Sequence, residues 1–306
     1  MKRILLIGAT GQVGQELQRT LAPLGEVIGV DRQTLDLAEA TSIRQAIGEV
    51  NPNLIVNAAA YTAVDKAETE TELAGAINAI APLVMAEEAQ RIGATLFHIS
   101  TDYVFDGQKN TPYTEDDATN PLSVYGQTKL DGERGLQSSC SRYIILRTAW
   151  VYGTYGKSNF VKTMLRLFAE REEVRVVADQ VGTPTWAGDI ASAIATLLSQ
   201  LPDGEGQSAG VSTPTGIYHF TNSGVASWYD FAMAIYEEAK ALGFPLKLQR
   251  LVPITTADYP TPARRPAYSV LAGQKISAAL GAPPPHWRHS LRQMLGELHS
   301  YSTKHS

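Results

Sequence analysis

Five short runs dominated by Val, Ile and Leu recur through the first half of the chain, at residues 3–7, 26–30, 54–60, 95–101 and 143–151. They are apolar throughout rather than alternating, as strands must be when both faces of a parallel sheet are covered. The segments between them, residues 13–22, 41–50, 69–92 and 124–136, carry the spacing of helices. Regular exchange of strand and helix specifies an α/β fold, a doubly wound parallel sheet of the Rossmann-like type.

Beyond residue 152 the alternation loosens. A helix is expected near residues 159–171, a strand near 174–178, and helices near 189–201 and 228–243. Residues 202–216, rich in Gly, Ser and Pro, read as an exposed loop. The run Tyr218-His219-Phe220-Thr221 reads as a strand able to rejoin the first sheet, so the two lobes interleave in sequence. The expected organisation is a dinucleotide-binding domain over residues 1–152, rejoined near 218–222, and a smaller C-terminal α/β substrate lobe over 153–306. Proline-rich residues 260–266 and 283–285 read as rigid surface segments of that lobe. At 306 residues, 44% hydrophobic and 19% charged, the chain is large enough for two such cores and lacks the signatures of coiled coil, collagen or disorder.

Charge and cysteine content narrow the partners. The 26 Lys and Arg against 31 Asp and Glu give a formal −5, and no basic cluster offers an electrostatic footprint for nucleic acid. A single cysteine, Cys140, excludes an intrachain disulfide framework and a Cys-rich zinc site, which fits a reducing, cytoplasmic setting. Only residues 4–7 form an apolar stretch before the first glycine, too few for a signal peptide, and no window reaches the roughly 18 apolar residues of a membrane span. No repeat of fixed period is present, which argues against a solenoid.

Gly8-Ala9-Thr10-Gly11-Gln12-Val13-Gly14 stands between the first strand and the first helix. In that position a G-x-x-G-x-x-G run is a dinucleotide fingerprint: glycines let main-chain N–H groups approach a pyrophosphate, and the helix N-terminus favours its charge. Asp31 follows Gly14 by 17 residues, at the end of the second strand, where a carboxylate can accept from the adenosine ribose of NAD. Arg32 beside it could instead hold a 2′-phosphate, so NADH and NADPH both stay open.

Tyr125-Gly126-Gln127-Thr128-Lys129 sets a phenol and an ammonium four residues apart, on one helical face about 6 Å along the axis. A cation beside the phenol is expected to lower its pKa by stabilising phenolate. Ser100-Thr101 ends the fourth strand at the carboxyl edge, where open α/β sheets place ligands. Together Thr101, Tyr125 and Lys129 form a carbonyl-reducing set: Thr101 orients and polarises, Tyr125 delivers the proton, and Lys129 holds the ribose and tunes the phenol. His286 and His289 lie near a proline run without an HExxH pattern, which leaves little support for a zinc hydrolase.

These pieces, with Asn57-Ala58-Ala59-Ala60, Ala63-Val64-Asp65-Lys66-Ala67-Glu68, Ser100-Thr101-Asp102-Tyr103-Val104-Phe105, Arg147-Thr148-Ala149-Trp150-Val151-Tyr152 and Pro260-Thr261-Pro262-Ala263-Arg264-Arg265-Pro266, resemble the extended short-chain dehydrogenase/reductase family nearly end to end. Within it the likeness is to reductases of dTDP-linked 4-keto-6-deoxy sugars. It implies that Gly11, Gln12, Val13, Asp31, Asp36, Leu37, Ala60, Tyr61, Thr62, Tyr125 and Lys129 contact NADPH or NADH. It further implies that Thr101 and Asp102 meet the dTDP-sugar, and that Trp150, with Val64 nearby, packs on the deoxyhexose. Arg264 and Arg265, after the proline turn, suit the diphosphate by bidentate hydrogen bonding.

Some members of the family dimerise through Mg²⁺ held by glutamates. Glu16 and Glu297 stand at matching positions, but the third falls on Gly188, with Asp189 beside it; one carboxylate fewer weakens an Mg²⁺ cage and disfavours a metal-linked dimer, leaving monomer or homodimer. Two alternatives share the resemblance. Dehydratases of this fold carry Asp-Glu after the threonine where this chain has Asp102-Tyr103, which disfavours elimination and leaves epimerisation open. A non-catalytic regulatory subunit similar to the methionine adenosyltransferase beta subunit would bind cofactor without turnover; retention of Thr101, Tyr125 and Lys129 argues for catalysis.

Overall fold

The computed structural model describes residues 2–201 and 214–305. Six parallel strands form the main sheet: β1 (Arg3–Ile7), β2 (Glu26–Val30), β3 (Leu54–Asn57), β4 (Thr95–Thr101), β5 (Tyr143–Thr148) and β6 (Gly216–His219), in the order β6-β5-β4-β3-β1-β2. Side chains alternate across a strand, and here both faces are apolar. Ile4, Leu6, Leu54, Val56, Phe97, Ile144 and Leu146 pack on one side, while Leu5, Ile7, Ile55, Leu96 and Ile145 pack on the other. Helix α1 (Gln12–Leu21) covers the first face. Helices α2 (Ala40–Val50) and α3 (Ala81–Ile92) cover the second, and α4 (Val124–Ser139) lies against α3 and contributes Leu136 there.

Four segments depart from expectation. The third strand ends at Asn57 rather than at residue 60, because the Asn57 side chain takes the Ala59 N–H and turns the chain. The fifth ends at Thr148: Trp150 adopts a left-handed φ of 49°, and Val151–Tyr152 then pairs with Thr185–Trp186 instead. The long helix expected over residues 69–92 is interrupted by a π turn at Ala76–Ile80. Pro82 has no N–H to offer the Asn78 carbonyl four residues earlier. The loop expected over residues 202–216 lies largely outside the described residues; Gly216, its last member, begins β6, which pairs with β5 as expected.

A second apolar cluster gathers helices α5 (Phe160–Glu170), α7 (Trp228–Ala241) and α8 (Trp287–His305) around Phe168, Phe231 and Trp287. Between α5 and α7, α6 (Ala187–Ser199) returns to the first sheet and packs against α1 with Ile190, Ile194 and Leu197.

Candidate active site at the carboxyl edge of the sheet

The turn after β1 is shaped for close backbone approach. Gly8 has φ +83° and lies so near the chain after β3 that a Cβ would sit 2.8 Å from Ala59 N. A Cβ on Gly14 would be 2.0 Å from the Gly8 carbonyl oxygen. Helix α1 begins at Gln12 with Gly11 as its cap, no side-chain capping bond and no acidic residue in its first turn. Its first N–H groups and positive dipole end are therefore presented at the sheet edge, which fits a dinucleotide pyrophosphate. Gln12 turns its Oε1 to Asn159 Nδ2 at 2.8 Å. Val13 is buried in the first core.

Asp31 follows β2 in a turn of its own, its Oδ1 accepting the Gln33 N–H at 3.0 Å. Asp36 is exposed and accepts the Ala38 N–H, and Leu37 rests on the second core face. After β3, Ala60 is half-buried and Thr62 exposed. Tyr61 is clamped by the buried Asn78, whose Oδ1 accepts the Tyr61 N–H at 2.9 Å while its Nδ2 donates to the Tyr61 carbonyl at 3.1 Å. The π turn is what aims Asn78 at this loop.

Thr101, at the end of β4, caps a short turn: its Oγ1 accepts the Tyr103 N–H at 3.2 Å and donates to Asp102 Oδ1 at 3.1 Å. Burial pushes the Asp102 carboxyl up to about 6, against the pull of neighbouring Ser269 and Thr101; its Oδ2 is buried without a hydrogen-bond partner. Helix α4 starts at Ser123, whose Oγ accepts the Gly126 N–H. A Cβ on Gly126 would meet the Tyr103 carbonyl oxygen at 2.3 Å, so the helix is seated directly on the turn after β4. That contact brings Tyr125 beside Thr101 and edge-on to Tyr103, with ring centroids 5.3 Å apart. Tyr61 and Val64 pack around the same phenol.

Tyr125 and Lys129 are both buried, at 9% and 1% exposure. The expected acidification of the phenol is absent: burial raises Tyr125 to about 12, with the Thr101 hydrogen bond lowering it and Asp102 raising it. The ammonium end of Lys129 is engaged elsewhere, 2.7 Å from the Ile99 carbonyl and 3.1 Å from His98 Nε2. Burial draws Lys129 down to about 8, with Glu133 pulling it up.

Two sugar-nucleotide expectations meet competing contacts. One face of Trp150 is stacked on Trp228 at 3.5 Å and 7°, and Gly182 sits so near its indole that a Cβ there would be 2.6 Å from Cε2. The guanidinium of Arg265 forms a two-pronged pair with Asp65, at 3.2 and 2.9 Å, so its fork is already used; Arg264 is exposed. The Asp65–Arg265 clasp does lay residues 260–266 over the loop carrying Tyr61 and Val64. Among the Mg²⁺ candidates, Glu16 is buried and paired with Arg19 at 3.0 Å, and Glu297 accepts from Thr154 at 3.2 Å. Asp189 is turned to Asn222 and Ser290, and no cluster of three metal-binding side chains exists among the described residues, so one chain does not supply a hard-ion cage.

Sequence reasoning missed the layer beneath these groups. Glu133 and Arg147 form a buried ion pair at 2.6 Å, and Ser100 Oγ donates to Glu133 at 2.5 Å. The spacing Tyr125, Lys129, Glu133 repeats every four residues and marks one helical face, a signal present in the sequence. Asn57, Asn78, His98 and Trp228 gave no such signal, since each acts through a partner distant in sequence.

A family model described as RmlD substrate binding domain matches residues 1–300. The chain is 45% identical over 301 residues to the dTDP-4-dehydrorhamnose reductase of Escherichia coli (strain K12), covering 96% of this chain and 97% of that one. It belongs to the RmlD family. A crystal structure of dTDP-4-dehydrorhamnose reductase from Bacillus anthracis str. Ames in complex with NADP superposes with a TM-score of 0.87 at 36% identity, over 97% of this chain and 99% of that one. A dTDP-4-dehydrorhamnose reductase from Clostridium acetobutylicum ATCC 824 gives 0.86 at 39% identity, with the same coverage. RmlD relatives thus match both lobes, and the family's fold is the Rossmann-like sheet described above.

Proposed function

We infer that this chain reduces the C4 ketone of dTDP-4-dehydro-6-deoxy-L-mannose with NAD(P)H, giving dTDP-L-rhamnose. It is an NAD(P)H-dependent oxidoreductase: its relatives are named dTDP-4-dehydrorhamnose reductase, and one of them is solved in complex with NADP. The observation that carries the reading is the meeting of Thr101, Tyr125 and a glycine cradle at one edge of the sheet.

The bound NAD(P)H supplies the hydride. Gly8, Gly11 and Gly14 with the α1 N-terminus hold its pyrophosphate, and Gln12, Val13, Asp31, Asp36, Leu37, Ala60, Tyr61, Thr62 and Lys129 line the rest of its site. Thr101 orients the ketone, and Tyr125 donates the proton to the oxygen as hydride adds to carbon. A general acid must be protonated before it acts, and a phenol held at about 12 stays so throughout the neutral range. Asp102 binds a sugar hydroxyl; Trp150 and Val64 wall the deoxyhexose, with the indole using its edge and free face; Arg264 meets the diphosphate, with Arg265 shaping its loop. Among the described residues after 152, the substrate lobe is what remains apart from α6, β6 and the helix Gln274–Leu280, which pack with the cofactor domain.

The relatives' names favour net reduction over epimerisation, and the presence of Thr101, Tyr125 and Lys129 argues against a non-catalytic subunit. We place the enzyme in the cytoplasm, on its single buried cysteine. No described helix is long and apolar enough to cross a membrane. Incubation of the protein with NADPH, or NADH, and the 4-keto sugar nucleotide tests the reading. dTDP-L-rhamnose with stoichiometric cofactor oxidation is expected; a C-epimerised ketone, or no turnover by folded protein, contradicts it.

A further inference from the structure

His98 lies on β4 three residues before Thr101, fully buried, and the reaction as derived makes no use of it. Its Nδ1 is 3.1 Å from Asn57 Nδ2, and its Nε2 is 3.1 Å from Lys129 Nζ. The Asn57 amide is oriented by the chain, because its Oδ1 accepts the Ala59 N–H at 3.1 Å. Its NH2 end therefore faces the imidazole, and an amide NH2 only donates. His98 Nδ1 must carry the lone pair. A neutral imidazole has one N–H, which then sits on Nε2 and points at Lys129. Lys129 Nζ already donates to Ile99 O at 2.7 Å, and towards Nε2–H it can respond only with a lone pair, which an ammonium lacks.

The competing arrangements each leave a buried polar clash. An ammonium at Lys129 needs a bare Nε2, which moves the imidazole proton to Nδ1, against the Asn57 amide hydrogens. Turning the amide over relieves that contact but sets Nδ2 against the Ala59 N–H. An imidazolium would confront both neighbours, and burial together with Lys129 holds His98 well below its ordinary pKa. Such mismatches are costly when, as here, Asn57, His98 and Lys129 are each at 1% exposure or less.

We propose that Asn57 and His98 are positioning residues for the reduction, which stabilise Lys129 as a free amine through the Nε2–H tautomer of His98 and so keep its ammonium easily deprotonated beside Tyr125. Burial acts on Lys129 in the same direction. Of the other ionisable groups, Glu133 on the same helix acts on Lys129 and is itself paired with Arg147 at 2.6 Å, while Tyr125 stands one turn earlier on that helix. Glu133, although paired with Arg147, favours the ammonium; the Asn57–His98 pair opposes it. The consequence for rate rests on the reductase reading, whereas the tautomer does not.

Two-bond ¹H–¹⁵N correlation spectra of the full-length protein, recorded on the alkaline side of the Lys129 midpoint of about 8, read the tautomer directly. His219 is an internal reference, since its Nδ1 faces the Tyr113 carbonyl at 3.0 Å and must carry the proton there. The expected result is one buried histidine of each tautomer, the Nε2–H signal vanishing in His98→Gln. Two Nδ1–H histidines, or a doubly protonated His98, overturn the proposal without touching the reductase assignment. In Asn57→Asp the carboxylate accepts from both Ala59 and His98, the tautomer reverses, and the alkaline limb of kcat rises by about one pH unit. A reversed tautomer with an unmoved limb removes the positioning role, and if that variant fails to fold the wild-type spectrum still decides.

Discussion

Asp102 shows how a single buried group can weigh on the whole protein. With its carboxyl raised to about 6 from an ordinary 3.8, the folded state binds this proton more tightly than the unfolded state does. Stability from this group is thus greatest below pH 4 and is lost as pH climbs through 6. The difference of about two units corresponds to roughly 2–3 kcal/mol at neutral pH. Asp102→Asn, which keeps an acceptor for Thr101, is expected to raise the neutral-pH unfolding free energy by up to that amount while lowering turnover. The gain should fade towards pH 4 in denaturant titrations; a gain independent of pH would contradict the buried charge. Tyr125 teaches a related lesson. The sequence pairing with Lys129 was read as an acidifying contact, but two groups four apart on a helix share a face without their polar ends touching. Here burial governs the phenol, and Lys129 turns to β4.

At the scale of elements, helix α4 delivers the proton donor, and Gly126 decides where the helix rests. Any Cβ at that position must displace either α4 or the turn after β4, because the atom it meets is a backbone oxygen. Gly126→Ala is therefore expected to shift Tyr125 relative to Thr101 and lower kcat by about 10², the usual penalty for a displacement near 1 Å. Cofactor affinity, set mainly by the turn before α1, should change far less. Steady-state kinetics with fluorescence titration of NADPH separates the two, and an equal loss in both would point to global disruption. The strands and helices of the first half were legible because their apolar runs and helical spacing are local. The π turn was not, since it depends on Pro82 withholding one hydrogen bond and Gly132 packing on the Asn78 carbonyl that this leaves.

Across the whole molecule, the chain ties distant segments together over the site. Arg265 and Asp65 join residues 260–266 to the loop after β3 across 200 positions of sequence. The resemblance and the proline turn suit Arg265 to a diphosphate, and nothing near it in sequence marks a competing partner; that partner lies in another of the recognised blocks, Ala63 to Glu68. A double-mutant cycle of Arg265→Ala and Asp65→Ala should give about 1 kcal/mol of coupling in the apparent affinity for the sugar nucleotide, with each single change raising KM for that substrate more than for NADPH. Strict additivity would show that the clasp does not organise the loop. The glycine cradle, Thr101, Tyr125 and Lys129 were readable because each sits at a fixed offset from a strand end. The supporting layer of Asn57, His98 and Trp228 appears only when the sheet and the second lobe are assembled.

The central claim is that the phenol of Tyr125 protonates the sugar C4 oxygen. Single-turnover reduction of dTDP-4-dehydro-6-deoxy-L-mannose by the NADPH-loaded Tyr125→Phe variant addresses it most directly. Loss of one hydroxyl should slow dTDP-L-rhamnose formation by about 10² to 10⁴ with NADPH binding largely kept. Formation of the same product at the wild-type rate would contradict it.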